Sequence, residues 1–302
     1  MFGWTIGEDR SFAVLDAYVA AGGNFIDTAD IYGRRGGGGE GESERIIGSW
    51  MAARGNREQV VIGTKVGMSR ELHGLSADTI HRGIERSLQR LGVDTVDLYY
   101  AHADDAHTPL EETLGAFESL IRDGKIRYAA ASNYSAPRLS EALRIGEREG
   151  MASYAALQAQ YNLVERTEYE SELAPICERH GLACLPYFSL ARGFLTGKYR
   201  RDGQQVESPR ALGVRESYFN ERGFAVLDAL EEVAAEQRTA IAAVALAWLL
   251  AQPTVVAPVA SATSPEQLAE LLPATELRLS DEQLERLNAA SARPLARRGG
   301  TS

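Results

Sequence analysis

Cysteine is nearly absent: Cys177 and Cys184 are the two in 302 residues. Two cysteines cannot build a disulfide framework or a metal knuckle. Cys177 falls in a predicted helix and Cys184 in an apolar strand, so both read as ordinary core residues. Positive charge is also scarce. Lys and Arg number 32 against 42 Asp and Glu, a formal charge of -10, with a pI near 5.2. That balance argues against non-specific nucleic-acid binding and against attraction to anionic lipid. The doublets Arg34-Arg35, Arg200-Arg201 and Arg297-Arg298 are too short to reverse it and read as solvated surface. No run approaches the ~18 apolar residues of a membrane span. The longest, IAAVALAWLLAQ at 241–252, is bounded by Arg238 and Pro253 and suits a buried helix. No charged-then-apolar leader is visible at the N-terminus. The expected location is the cytoplasm, with no nucleic-acid or membrane partner. No G-x-G-x-x-G follows a strand, which leaves a Rossmann reading without support. His73, His81, His107 and His180 show no ligand spacing, so no metal is expected.

What the chain does contain is 44% hydrophobic residues arranged in a regular alternation. Strand-like runs fall at 24–28, 60–65, 95–101, 126–131, 155–160, 182–187 and 255–260. Helix-like runs fall at 11–22, 43–54, 76–91, 109–123, 137–149, 168–180, 223–237, 240–251, 264–272 and 280–290. Continuous apolar strands such as VVIGT and VVAPVA, separated by amphipathic helices, predict a parallel sheet buried on both faces. Ser264-Pro265-Glu266-Gln267 and Ser280-Asp281-Glu282-Gln283 both read as capping boxes. With no linker, the economical reading is one α/β domain over 1–292 and a disordered tail over 293–302. The length suits a (β/α)8 TIM barrel, typically ~250 residues. Seven strands are legible; an eighth would have to stand before residue 1. The segments 33–42 and 203–222 read as irregular loops leaving strand C-termini.

Asp27, Tyr32, Lys65 and His102 stand at or just past three successive strand ends. In a parallel βα architecture those ends gather around the ligand face. Singly, each has a plain explanation: an Asp before Thr28 can cap a turn, a Lys can be surface, a Tyr can be packing. Together they form a proton-transfer set. An ammonium beside a phenol favours the phenolate and lowers the phenol pKa. A carboxylate holds that ammonium charged and in place, and an imidazole can orient a carbonyl or relay a proton. Such a set suits carbonyl reduction, with hydride from a cofactor and a proton from the tyrosine.

The segments GGNFIDTADIYG, VVIGTKVG and VDLYYAHADD resemble the signature regions of the aldo-keto reductase family. The order continues through IRDGKIRYAAASNYS, LQAQYNLVER, PYFSLARGFLTGKY and SPEQLAELL, so the likeness covers essentially the whole chain. It implies that Asp27, Tyr32, Lys65 and His102 are the catalytic tetrad, with Tyr32 as general acid. It also implies cofactor contacts. Ser132, Asn133 and Gln158 would hold the nicotinamide carboxamide, and Tyr187 would stack on the ring. Leu190, Ala191 and Gly193 would wrap the pyrophosphate, and Lys198 would reach phosphate. Ser261, Thr263, Ser264 and Gln267 would meet the adenine end. Read without the family, Tyr187 is a strand aromatic suited to the core, and Ser132-Asn133 could serve as the N-cap of the helix at 137–149.

Two features depart from the family pattern. Relatives begin with a β-hairpin and a first strand that this sequence does not show, which would leave two long parallel edges. The basic residue that often grips the 2′-phosphate of NADPH is also not evident, since Thr263 and Leu271 occupy the relevant places. NADPH is the expected cofactor, with NADH as the other candidate. The resemblance implies a reductase of a small-molecule aldehyde or ketone. It also admits a cofactor-binding subunit like the potassium-channel β-subunits. Trp4, Tyr134, Tyr218 and Phe219 are candidates either for an aromatic pocket wall or for packing.

Overall fold

Six short runs rich in β-branched and small apolar residues form a single all-parallel sheet in the computed structural model, which describes residues 2–201 and 206–292. The strands are β1 (Phe25–Asp27), β2 (Val61–Val66), β3 (Val96–Ala101), β4 (Ile126–Ser132), β5 (Ala156–Gln158) and β6 (Ala183–Cys184), hydrogen-bonded in chain order. The helices are α1 (Glu8–Ala20), α2 (Glu42–Arg54), α3 (Ala77–Leu91), α4 (Leu110–Arg122), α5 (Ala136–Glu149), α6 (Ala174–His180), α7 (Ala211–Tyr218), α8 (Glu221–Gln237), α9 (Ile241–Leu250), α10 (Pro265–Leu271) and α11 (Asp281–Ser291). Strand and helix alternate as the periodicity predicts. The tail at 293–302 lies outside the described residues.

The seventh predicted strand, 255–260, is reduced to one parallel bridge, Cys184 to Val255. The Cys184 N–H donates to the Thr254 carbonyl at 2.9 Å, and the Val256 N–H donates to Cys184 at 3.0 Å. Proline explains the truncation on both sides. Pro186 ends β6 and Pro258 interrupts its neighbour, because neither has an N–H for the ladder. Pairing resumes once, where the Val259 N–H donates to the Pro186 carbonyl at 2.8 Å.

The sheet curls. Inward-facing Phe25 of β1 shares one apolar cluster with Tyr100, Leu185, Ala257 and Val259, so its two ends turn toward each other. A hydrogen bond from Gln158 on β5 to Asp27 on β1, 2.8 Å, ties the same two sides together. Among the described residues six strands are present, and closure into an eight-stranded barrel is not. The outer core fills the space between sheet and helices, with Trp50, Tyr99, Phe117 and Trp248 fully enclosed. Cys177 and Cys184 are both buried there, and burial pushes their thiols up to about 11 and about 12. On β4, Tyr128, paired in register with inward-facing Leu98, is 60% exposed, and Val256 is 58% exposed.

Helix α9 is buried from Ala242 through Leu249, as its uninterrupted apolar run predicts. No single described helix is long and apolar enough to cross a membrane, and α8 meets α9 at a 96° bend. Two local predictions need correction. Ser280 and Gln283 form the full capping box of α11. At α10 the Ser264 hydroxyl accepts from the Gln267 N–H, but the Gln267 side chain reaches one residue too far back. It accepts from the N–H and hydroxyl of Thr263 at 3.0 and 2.8 Å. The stretch 203–222, predicted to be irregular, contains α7; residues 202–205 lie outside the described set. Gly213 inside α7 hid the helix, because glycine weakens the helical signal by roughly 1 kcal/mol.

Candidate active site

Parallel register brings the tetrad together. Asp27 ends β1, opposite Gly63 of β2. Lys65, two residues further along β2, lies level with Tyr100 of β3. The His102 N–H donates to the Val66 carbonyl at 2.9 Å, which keeps His102 in line just past β3. Tyr32 comes from the turn after β1, where the Tyr32 N–H donates to the Ala29 carbonyl at 3.1 Å.

Lys65 is the hub and is fully enclosed. Its Nζ donates to Asp27 Oδ2 at 2.7 Å, to the Thr28 carbonyl at 2.6 Å and to the Tyr32 hydroxyl at 3.4 Å. It also lies 4.8 Å from the centre of the Tyr32 ring and 5.5 Å from that of Tyr100. The rings of Tyr32 and His102 meet edge-on, with centroids 5.9 Å apart and planes at 78°. The plain readings of Asp27 as a turn cap and Lys65 as surface do not hold: the two side chains make a buried ion pair.

Burial dominates the site's proton affinities. It opposes the Lys65 ammonium, yet the charge of Asp27 and the contact with Tyr32 hold the lysine above its ordinary pKa. For Tyr32 the sequence-based expectation of a lowered pKa is corrected. Burial raises it, and the Lys65 charge opposes that rise without overcoming it. The phenol therefore stays protonated at neutral pH and is an acid in waiting. Burial, reinforced by the Lys65 charge, drops His102 to about 3. Its imidazole is neutral, and Nδ1 is buried without a hydrogen-bond partner among the described residues. A neutral imidazole suits orientation of a carbonyl oxygen better than proton supply.

The residues assigned to the nicotinamide end cluster around this hub. Ser132 and Gln158 are buried. Asn133 donates to the His102 carbonyl at 2.8 Å and to Ser132 Oγ at 3.0 Å, while the Tyr187 hydroxyl donates to Asn133 Oδ1 at 2.8 Å. Tyr187 is half-buried on the strand-end side, outside the core clusters. The pair Ser132-Asn133 does not cap α5, whose N-cap is Ser135. Gln158 donates one N–H to Asp27, a positioning bond the motifs gave no sign of.

The segment assigned to pyrophosphate is a strained turn. Phe188, Ala191, Arg192 and Gly193 are all left-handed, at φ 51°, 47°, 58° and 95°. Non-glycine residues held there cost roughly 1–2 kcal/mol each, and such strain collects at ligand sites. Within this turn the N–H groups of Ala191 and Gly193 donate to the Phe188 and Leu190 carbonyls at 2.6 and 2.8 Å. A Cβ on Gly193 would stand 3.2 Å from Lys198 Nζ. Desolvation, aided by the Arg210 charge, lowers the Lys198 pKa. Leu190 is the residue that caps the start of this turn. Ser261, Thr263, Ser264 and Gln267 lie together at the start of α10, with Ser264 and Gln267 engaged in its capping.

Of the candidate wall aromatics, three serve as packing. Tyr134 is buried against Tyr154, hydroxyl to hydroxyl at 2.9 Å, and Tyr218 and Phe219 pack on Phe194. Trp4 is half-buried with the Arg210 guanidinium 5.1 Å from its ring centre. Sequence motifs also missed the Thr28 carbonyl as a lysine acceptor, because backbone groups leave no trace in residue identity. Arg210 sits in a stretch with no motif signal.

Comparison with known proteins decides the family. The aldo/keto reductase family model matches residues 1–292. The chain belongs to the aldo/keto reductase family. An oxidoreductase of Bacillus subtilis, YrpG, is 34% identical over 95% of this chain and 88% of its own length. A probable voltage-gated potassium channel subunit beta of rice is 33% identical, over 91% and 85%. An aryl-alcohol dehydrogenase [NADP(+)] of Phanerodontia chrysosporium is 31% identical, over 94% and 76%. Aldo/keto reductases generally use a nicotinamide cofactor and act on small carbonyl compounds. Lys198 beside the strained turn and the unpartnered His102 nitrogen fit a dinucleotide phosphate and a carbonyl group.

Proposed function

We propose that this protein reduces an aldehyde or ketone with NADPH, Tyr32 acting as general acid. The enclosed Lys65, bonded to Asp27 and touching Tyr32, carries the reading. The bound nicotinamide would supply the hydride that the carbonyl carbon receives, and leave oxidised. As the carbonyl π pair moves to oxygen, Tyr32 gives that oxygen its proton. The resulting phenolate faces the Lys65 ammonium, which is worth most in a buried site. Neutral His102 orients the carbonyl oxygen. Asp27 keeps Lys65 charged, and Gln158 keeps Asp27 aimed.

Ser132, Asn133 and Gln158 would hold the carboxamide, Tyr187 the ring face, and Leu190, Ala191, Gly193 and Lys198 the pyrophosphate. Ser261, Thr263, Ser264 and Gln267 would hold the adenosine end. A relative named as NADP(+)-linked supports NADPH over NADH. The test is Tyr32→Phe, assayed by absorbance of each cofactor with a panel of aldehydes and ketones. Turnover should fall by about a hundredfold or more with cofactor affinity nearly unchanged. Full activity in the variant would remove Tyr32 from the role.

The similarity to proteins named as channel β-subunits favours a second reading, a cofactor-binding partner subunit. Tight cofactor binding with negligible turnover across that panel would support it over the first.

A further inference from the structure

A second cleft lies outside the curled sheet, between α2 and α3 and under the loops that lead into them. Its volume is about 880 Å³, within the range of small-molecule sites. None of the residues assigned above to catalysis or cofactor lines it. Arg34, Arg45, Arg70, Arg86 and Arg90 face it against three acids, Asp30, Glu40 and Glu71. The arginine partners are mostly single carboxylates: Arg34 with Glu40 at 3.5 Å, Arg45 with Glu42 at 2.8 Å and Arg86 with Glu71 at 2.7 Å. A guanidinium has five donors and such exposed pairs are weak, so these side chains can take an added anion. The Arg70 side chain enters no ion pair among the described residues.

The inner wall is different in character. Asp30 is 5% exposed, and both of its carboxyl oxygens are buried without a hydrogen-bond partner among the described residues. An unsatisfied buried polar group of this kind costs roughly 1–3 kcal/mol. Arg90 does not serve it, being held by buried Glu44 at 2.6 Å. On the same cleft lining, buried Ser69 accepts the N–H groups of Glu71 and Leu72, both at 3.2 Å, which leaves its own proton to donate. A carboxyl and a hydroxyl on the inner wall suit vicinal hydroxyls, and an arginine rim suits an anion.

We propose that this cleft binds a small anionic polyol, of the sugar-phosphate class, at a site separate from the carbonyl and cofactor site. Asp30 and Ser69 take the hydroxyls, and Arg70 and Arg86 take the phosphate.

The experiment is calorimetric titration of the full chain with glucose 6-phosphate, glucose and inorganic phosphate. Glucose 6-phosphate should bind more tightly than either part alone. The double variant Arg70→Gln/Arg86→Gln should weaken it about tenfold or more, while Lys198→Ala should leave it unchanged. Asp30→Ala should weaken glucose 6-phosphate and not inorganic phosphate; if that variant does not fold, the arginine pair decides alone. No heat at millimolar ligand would overturn the proposal. So would binding unaffected by the arginine pair or abolished by Lys198→Ala, the latter assigning the anion to the cofactor's phosphate turn. Loss of carbonyl reduction in Tyr32→Phe bears on the first site and leaves this result untouched.

Discussion

Burial sets the proton affinity of Tyr32 and His102, whereas at Lys65 the charge of Asp27 and the contact with Tyr32 outweigh it. Asp30, outside the tetrad, follows burial. Burial, then the charge of Glu44, raises Asp30 to about 7, whereas in the unfolded chain its pKa is about 3.9. Between those values the folded protein holds a proton that the unfolded chain has released. The contribution is therefore fully present below about pH 4 and is lost as pH rises through 7. Asp30→Asn removes that loss. Urea unfolding should find the variant more stable than wild type at pH 8, by about 4 kcal/mol, with the gain vanishing near pH 4. An equal difference at both pH values would assign the effect to packing.

At the scale of elements, helix placement was readable because apolar spacing and Ser, Asp and Gly signals repeat along the chain. The tetrad was readable for a related reason: strand ends align in a parallel sheet, so separate motifs share one site. What could not be read was reach. Gln267 has the right spacing for a capping box at α10 and bonds Thr263 instead. Gln158 meets Asp27 across the curl, which no local pattern encodes. The arginines of the outer cleft become a cluster only when α2 and α3 pack side by side. That packing is close: a Cβ on Gly48 of α2 would stand 2.5 Å from the Arg90 carbonyl oxygen of α3. In an isolated helix Gly→Ala gains roughly 1 kcal/mol. Here the overlap with backbone, worth roughly 1–3 kcal/mol, should win, so Gly48→Ala is expected to lower Tm. A raised Tm would show that the helices can part without loss.

For the whole molecule, the two ends of the sheet matter most. β1 ends the ladder on one side, and beyond β6 the segment around Val255 adds a single bridge, with Val256 58% exposed. Exposed apolar edges template pairing with other chains. Val256→Lys should slow aggregation on heating, read by light scattering, while moving Tm by no more than about 2 °C. Unchanged aggregation would place the sticky surface elsewhere, with exposed Tyr128 of β4 as the next site to vary.

The Gln158–Asp27 bond also orders events in time. Its partners are 131 residues apart in sequence, and contacts of that span form late because the chain between them must be ordered first. Helices and neighbouring strands can assemble while Asp27 is still free to turn away from Lys65. During refolding, enzymatic activity should therefore return after helical circular dichroism has recovered. Gln158→Ala should blunt the final activity without delaying the helical signal. Activity and helicity returning together would mean that β1 and β5 meet early.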